Sequence, residues 1–175
     1  MKTSSITRSL AVSALAAAAL VPAQPASAAE ANSIFLKKGL ACPDFNLEFS
    51  WTGTITQTKE FVDENGNVVR LLSAGKGTVN TYTNYGTKPG KREAGESLTI
   101  RTDGSVTETV YNPDGTQTVT ATGHNGLIMF PSDIPAGPST THYTGKIVFT
   151  IGTDGVFTLI STSGPSIDVC AELAS

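Results

Sequence analysis

Residues 97–111 read SLTIRTDGSVTETVY, and this stretch decides the fold class. Two runs rich in β-branched and apolar residues flank the dipeptide Asp103-Gly104. An Asp-Gly pair between two such runs favours a tight turn, because both residues tolerate positive φ. The stretch therefore predicts two short antiparallel strands joined as a hairpin.

The same pattern continues on both sides of this stretch. Residues 44–51 (DFNLEFSW) alternate polar and apolar side chains, which predicts a half-buried strand with its apolar face running from Phe45 to Trp51. Turns rich in glycine and asparagine separate the other β-rich runs, and one of these turns is expected at Asn125-Gly126. We expect the remaining strands at 68–74, 78–83, 116–122, 127–130, 143–151, 156–162 and 167–173, and no helix after the leader.

These runs amount to about eight to ten short strands with turns every 8–12 residues. Such spacing predicts an all-β fold, either an antiparallel up-and-down barrel or a sandwich. The composition agrees, because the chain is rich in threonine, glycine and valine. The short connections favour sequential hairpins, and the pattern leaves barrel and sandwich open.

The first 28 residues have the order of a secretory signal peptide. Lys2 and Arg8 supply the positive charge, residues 10–21 (LAVSALAAAALV) form the apolar stretch, and Ala26-Ser27-Ala28 fits the cleavage site. The stretch is too short for a membrane span, and no second one follows. We therefore expect a signal peptide at 1–28, a short mature segment at 29–41 and one β domain at 42–175. The protein is predicted to be secreted and extracellular, without a membrane anchor.

The charge balance excludes some partner classes. The leader holds two of the 12 basic residues and none of the 15 acidic residues, so the mature chain is mildly acidic. Nucleic acids and anionic lipid surfaces require a basic footprint on the protein. We therefore expect no nucleic-acid partner.

Cys42 and Cys170 are the two cysteines of the chain. In a secreted protein, two cysteines most simply form one disulfide, and the alternatives are free thiols or an intermolecular bond. Cys170 falls on the outward phase of its predicted strand, and Cys42 falls on the outward phase of the strand at 44–51 if that strand extends back through Pro43. A disulfide needs Cα atoms about 4.4–6.8 Å apart, which is close to the spacing of neighbouring strands. The first and last strands are therefore predicted to be adjacent, with the disulfide on the outer face.

No catalytic or cofactor motif stands out. The two histidines, His124 and His142, do not form a metal-ligand pattern, and we expect no metal, cofactor or catalytic residue. No Gly-x-Ser-x-Gly sequence is present. A barrel of about eight strands can hold one small ligand, so the aromatic residues are candidates for its mouth, although filling the core is their more ordinary role. The candidate mouth residues are Trp51, Tyr82, Tyr85, Tyr111, Tyr143, His124 and His142.

Several stretches resemble a group of small secreted actinobacterial proteins of uncharacterised function. They are CPDF at 42–45, TGHNGL at 122–127, DIPAGP at 133–138 and IDVCAEL at 167–173. The resemblance covers nearly all of the mature chain. It implies export from a Gram-positive, high-GC bacterium, and it brings no catalytic residues to this sequence.

Taken together, the residues predict a secreted, non-enzymatic β-domain protein that binds a ligand or acts as an interaction module at the cell surface. Its partner would be a small molecule, a glycan or a protein. The alternative is a barrel-type enzyme, either a cyclase or isomerase or a carboxylate-dependent hydrolase. An aromatic-lined cavity would favour a carrier or a cyclase. A buried carboxylate facing a histidine would favour an enzyme.

Overall fold

The computed structural model describes residues 32–53, 57–74, 77–88 and 93–174. The signal peptide predicted at 1–28 lies outside these ranges. The described residues form eleven strands and one short helix. In chain order they are β1 (Asn32–Leu36), β2 (Leu47–Thr52), β3 (Gln57–Val62), β4 (Val68–Ala74), β5 (Val79–Asn84), β6 (Ser97–Arg101), β7 (Val106–Tyr111), β8 (Gln117–Met129), β9 (Ser139–Ile151), β10 (Phe157–Ser163), β11 (Ser166–Asp168) and α1 (Val169–Glu172).

The strands form two antiparallel sheets. The small sheet has the order β1-β2-β5-β6, and the large sheet has the order β10-β9-β8-β7-β4-β3, with β11 also paired to β9. The prediction of an antiparallel all-β fold is confirmed, with eleven strands in place of eight to ten. No closed barrel is found among the described residues. Strand β1 lies within residues 29–41, for which the sequence predicted no strand.

The predicted hairpin at 97–111 is wrong, although both of its strands exist. Strand β6 pairs with β5 in the small sheet, whereas β7 pairs with β4 and β8 in the large sheet. The turn at Asp103-Gly104 therefore carries the chain from one sheet to the other. Thr102 is held at this crossing, because its backbone N–H donates to the carbonyl oxygen of Thr78 at 2.8 Å.

The turn predicted at Asn125-Gly126 is also wrong. Both residues lie inside β8, which pairs with β9 without interruption over thirteen residue pairs. Asn125 is opposite Tyr143, and Gly126 is opposite His142. The glycine serves the contact between the sheets, because a Cβ atom at this position would collide with the hydroxyl group of Tyr82.

The long β8–β9 hairpin contains a facing pair of glycines near its middle, Gly123 and Gly145. Gly123 has a φ of 90°, and a Cβ atom on it would lie 2.9 Å from the Cα atom of Ser105. A side chain at Gly145 would meet the carbonyl oxygen of Ser163. Only glycine fits such close backbone approaches. Both halves of the hairpin belong to the large sheet, and its outer half also reaches the segment before β2, where the Thr140 hydroxyl donates to the carbonyl oxygen of Ala41 at 3.0 Å.

Hydrogen bonds fasten the tip of this hairpin to β10. The backbone N–H of Ile134 donates to the carbonyl oxygen of Phe157 at 2.8 Å. The N–H of Leu159 donates to the carbonyl oxygen of Ile134 at 2.7 Å. The buried carboxylate of Asp133 accepts from the N–H groups of Phe130 at 2.6 Å and Phe157 at 3.0 Å. The tip thereby closes over the apolar cluster of Val119, Ala121, Leu127, Met129, Ile147 and Phe149.

The predicted disulfide between Cys42 and Cys170 is present, with the Cα atoms 5.5 Å apart. Its predicted location is wrong. The strand predicted first is β2, which pairs with β1 and β5, and the last strand is β11, which pairs with β9, so the two are not adjacent. Both cysteines are buried rather than on the outer face. The reason is local, because Cys42 lies in the connection before β2 and Cys170 lies in α1.

Helix α1 replaces the second half of the strand predicted at 167–173. Asp168 caps the helix, and its side chain accepts a hydrogen bond from the N–H of Ala171 at 3.0 Å. The helix and the disulfide complete the second apolar cluster, beneath the small sheet. This cluster contains Ala41, Cys42, Phe45, Leu47, Tyr82, Val169, Cys170 and Leu173. Within the described ranges, no helix has the length and apolar character that crossing a membrane would require.

Candidate functional site

A polar pocket of about 200 Å³ lies where the chain crosses between the two sheets. Two crossings border it, the connection from β4 to β5 and the connection from β6 to β7. Strand β8 supplies the remaining wall, next to Gly123. The lining residues are Ser73, Ala74, Gly77, Thr78, Asn80, Thr102, Ser105, Thr107, His124, Asn125 and Gly126.

Hydrogen bonds fix the side of the pocket that belongs to the small sheet. The Thr102 hydroxyl accepts from the N–H of Thr78 at 2.6 Å and lies 3.1 Å from the Thr78 hydroxyl. The Thr78 hydroxyl donates to the side-chain oxygen of Asn80 at 2.6 Å. These three side chains form one connected polar network, which holds them in a single arrangement.

The wall formed by the large sheet is held in a similar way. The Ser105 hydroxyl donates to the carbonyl oxygen of His124 at 2.8 Å and accepts from the N–H of His124 at 2.9 Å. The connection from β6 to β7 is thus tied to β8 next to Gly123. Across the floor, Ser73 on β4 is opposite Thr107 on β7. Neither of these two hydroxyl groups has a hydrogen-bond partner among the described residues, so both are available to a ligand.

A row of aromatic rings runs from the small sheet to the edge of this pocket. Ring centroids lie 5.3 Å apart for Trp51 and Phe49, 5.1 Å for Phe49 and Tyr82, 6.5 Å for Tyr82 and His142, and 5.9 Å for His142 and His124. Tyr82, His142 and His124 therefore form one contiguous group, and Trp51 continues it on β2. Of these rings, only that of His124 lines the pocket itself.

His142 is the most unusual member of the row. It is 1% exposed, and neither of its ring nitrogens has a hydrogen-bond partner among the described residues. Burial lowers its pKa below the usual value, and the nearby charge of His124 lowers it further. The ring is therefore neutral at neutral pH.

Tyr82 is buried next to His142, and its hydroxyl oxygen also has no partner. Burial raises the pKa of Tyr82 to about 12. The side chain of Asn80 is close enough to lower the pKa of Tyr82 slightly. It does not form a hydrogen bond of good geometry with the Tyr82 hydroxyl. The pair thus places three unpartnered polar atoms between the sheets, an arrangement that is rare in folded proteins.

The other predicted mouth residues lie elsewhere. Tyr85 packs edge-on against Phe35, with their ring centroids 5.7 Å apart, at the opposite end of the small sheet. Tyr111 is exposed at the end of β7. Tyr143 packs against the apolar cluster of the large sheet, on the other face of β9 from His142. The structure therefore brings together four of the seven predicted residues, Trp51, Tyr82, His124 and His142.

No buried carboxylate faces either histidine in the part of the chain that the structure describes. Asp133 is buried, but it binds the backbone at the hairpin tip. The hydrogen bond from Arg101, at 2.6 Å, is the main cause that lowers the pKa of Asp103, and the charge of His124 contributes less. The Asp103 carboxylate is exposed. Among the described residues, no three His, Cys, Asp or Glu side chains lie together as a metal-binding group.

Two other depressions differ in character from this pocket. One of about 560 Å³ lies between Tyr85, residues 93–96 and Leu173. Another of about 250 Å³ lies over the disulfide, between Pro43, Pro138 and Asp168. Neither contains the histidines or the unpartnered phenol.

Sequence reasoning missed the hydroxyl and amide residues of the pocket. Thr78, Asn80, Thr102 and Ser105 look like ordinary strand and turn residues, and no motif distinguishes them. Their common location depends on the two sheet crossings, which the predicted hairpin at 97–111 concealed. No protein family, curated protein or solved structure matches this chain.

Proposed function

We propose that the protein is a secreted, non-catalytic module that binds a small neutral ligand rich in hydroxyl groups, of the sugar class, in the pocket between the sheets. The observation that carries this proposal is the chemistry of the lining. Seven hydroxyl or amide side chains and one imidazole line the pocket. None of the described lining residues is Asp, Glu, Lys or Arg. Neutral donors and acceptors are the groups that match ligand hydroxyls.

The size of the pocket supports a ligand of about one sugar ring. Its 200 Å³ is below the range of about 300–1,000 Å³ for sites that hold drug-sized molecules. The network of Thr78, Asn80 and Thr102 is already formed, so binding does not have to order it. The unpartnered hydroxyls of Ser73 and Thr107 supply further contacts.

Two further observations support a non-catalytic, extracellular role. The described carboxylates do not pair with His124 or His142, so neither imidazole has the partner that acid–base chemistry commonly uses. The leader-like sequence at 1–28 and the disulfide between Cys42 and Cys170 both agree with export to an oxidising compartment.

The first test is native mass spectrometry of the protein purified from its own culture medium. We expect a bound species of the mass of a small polar molecule. The second test is isothermal titration of the ligand-free protein with a panel of neutral mono- and disaccharides. Saturable binding of at least one sugar is expected.

Substitutions then locate the site. Thr107→Val removes one lining hydroxyl at nearly constant volume, and Thr109→Val on the same strand is the matched control outside the pocket. We expect Thr107→Val to weaken sugar binding by about fivefold to tenfold, since one hydrogen bond is lost. The control should bind like the unmodified protein. A ligand-free mass together with no binding of any sugar in the panel, or equal binding by both variants, would contradict the proposal.

A further inference from the structure

The register of the β8–β9 hairpin brings together two histidines that are 18 residues apart in the sequence. His142 is opposite Gly126, and His124 is opposite Thr144, so the two rings are diagonal neighbours on the face toward the small sheet. Their centroids are 5.9 Å apart and their planes differ by 31°. Because Gly126 has no side chain, Tyr82 of the small sheet reaches into the space beside them.

Each of these rings has a donor atom without an alternative partner. Both nitrogens of His142 and the hydroxyl oxygen of Tyr82 are buried and unpartnered among the described residues. His124 is held by a contact of 3.3 Å between its Nδ1 atom and the Thr144 hydroxyl, which leaves Nε2 as its ligating atom. Imidazoles that bind metals are commonly oriented in this way, through the ring nitrogen that does not bind the metal.

We propose that Tyr82, His124 and His142 form a binding site for one divalent late transition-metal ion. The ring spacing fits, because two imidazoles whose nitrogens lie about 2.0–2.1 Å from one ion have centroids roughly 5–6.5 Å apart. The separation of 5.9 Å falls within that range. The phenol centroid is 6.5 Å from that of His142, which suits an oxygen ligand on the same ion.

The donor set selects the kind of metal. Imidazole suits copper, zinc and nickel, whereas calcium and magnesium require sets of oxygen ligands. Within the first-row series Cu²⁺ binds most tightly, so it should bind more tightly here than Zn²⁺. Coordination by Tyr82 releases the phenolic proton to solvent, and the ion exchanges bound water for the protein ligands. The pocket at His124 provides the entry path.

This site shares His124 with the proposed sugar pocket, but it does not rest on sugar binding, and its test uses metal ions alone. The protein, purified with its disulfide intact and stripped by a chelator, is titrated calorimetrically with Cu²⁺, Zn²⁺ and Mg²⁺ in two buffers of different ionisation enthalpy. We expect one Cu²⁺ per chain, weaker binding of Zn²⁺ and none of Mg²⁺. The buffer dependence should show about one proton released per ion.

Two variants and one control test two of the three proposed ligands. Tyr82→Phe removes the oxygen with little change in packing, and His124→Gln removes an imidazole at the pocket edge. Tyr143→Phe is the matched control on the opposite face of β9. We expect each of the first two variants to weaken Cu²⁺ binding at least tenfold and the control to leave it unchanged. Circular dichroism verifies that each variant is folded. If Tyr82→Phe does not fold, the Cu²⁺ affinity of His124→Gln alone tests the proposal.

The proposal is overturned if neither Cu²⁺ nor Zn²⁺ binds saturably. It is also overturned if a folded Tyr82→Phe or His124→Gln variant binds Cu²⁺ as tightly as the unmodified protein, because the ion would then be held elsewhere.

Discussion

The hydroxyl group of Tyr82 occupies the space that a side chain at Gly126 would need. The two residues belong to different sheets, β5 and β8, so this contact sets how closely the sheets approach each other. The same contact leaves the phenol oxygen buried beside His142.

We expect Gly126→Ala to lower the free energy of unfolding by about 1–3 kcal/mol, because the added methyl group overpacks the interface between the sheets. Chemical denaturation measures the change. The matched control is the same substitution in a Tyr82→Phe background, where the colliding oxygen is gone and the nearest ring carbon lies at 3.4 Å. Gly126→Ala should cost much less there, and an equal cost in both backgrounds would contradict the role assigned to this contact.

Removal of the disulfide by the double substitution Cys42→Ala/Cys170→Ala should destabilise the fold strongly. The bond closes a loop with a sequence separation of 128 residues, which corresponds to roughly 4–5 kcal/mol in the chain-entropy model. A thermal melt should show a midpoint lower by several degrees or more. An unchanged midpoint would show that the buried bond contributes nothing to stability.

Asp133→Asn should loosen the tip of the long hairpin. The substitution leaves one acceptor oxygen where two now bind the N–H groups of Phe130 and Phe157. We expect a loss of about 1–3 kcal/mol, since a partly buried donor loses its partner. Amide exchange of Phe157 reports the local change. Asp154→Asn, in an exposed turn, is the control and should change stability by less than about 0.5 kcal/mol; similar losses in both variants would argue against a special role for Asp133.

The turn between β3 and β4 should depend on pH through Asp63. Its carboxylate accepts hydrogen bonds from the Asn67 side chain at 3.0 Å and from the N–H groups of Asn67 at 2.8 Å and Asn65 at 2.9 Å. These bonds, with that of the Asn67 side chain foremost, lower the pKa of Asp63 below the ordinary value of 3.8. A lowered folded pKa means that the stabilisation is present above the unfolded value and is lost as the pH falls through the folded value.

A carbon-detected NMR titration of the Asp63 carboxyl group checks this expectation. Its midpoint should lie below 3.8, and the amide shift of Asn67 should change over the same pH range. In an Asp63→Asn variant the Asn67 shift should show no such step. A midpoint at or above 3.8 would mean that the three hydrogen bonds do not form in solution.

The strands were predictable where the signal is local. The alternation from Leu47 to Trp51 and the β-rich run at 68–74 each become a strand, because side-chain periodicity determines which face is buried. Pairing is not local. Strand β6 pairs with β5, and strand β7 pairs with β4 and β8. The Asp103-Gly104 turn therefore joins strands of two different sheets rather than two strands that pair with each other.

The candidate site shows the same division. The sequence predicts Tyr82, His124 and His142 as candidate ligand-contacting side chains, but the contact of the two histidines depends on the register of β8 against β9. The Asn125-Gly126 pair predicts a turn, because both residues favour one. Glycine is required at position 126 because the Tyr82 hydroxyl occupies the space of a side chain there. This contact joins two strands that are distant in sequence, so no local sequence pattern predicts it.

The disulfide also determines how the protein responds to a mechanical load. If the chain is pulled from segments before Cys42 and after Cys170, the tension passes from one end to the other through a single covalent bond. The loop that this bond closes contains ten of the eleven described strands, so tension carried by the bond bypasses them. Strand β1 lies before Cys42 and pairs with β2, so a pull applied before β1 loads that pairing first.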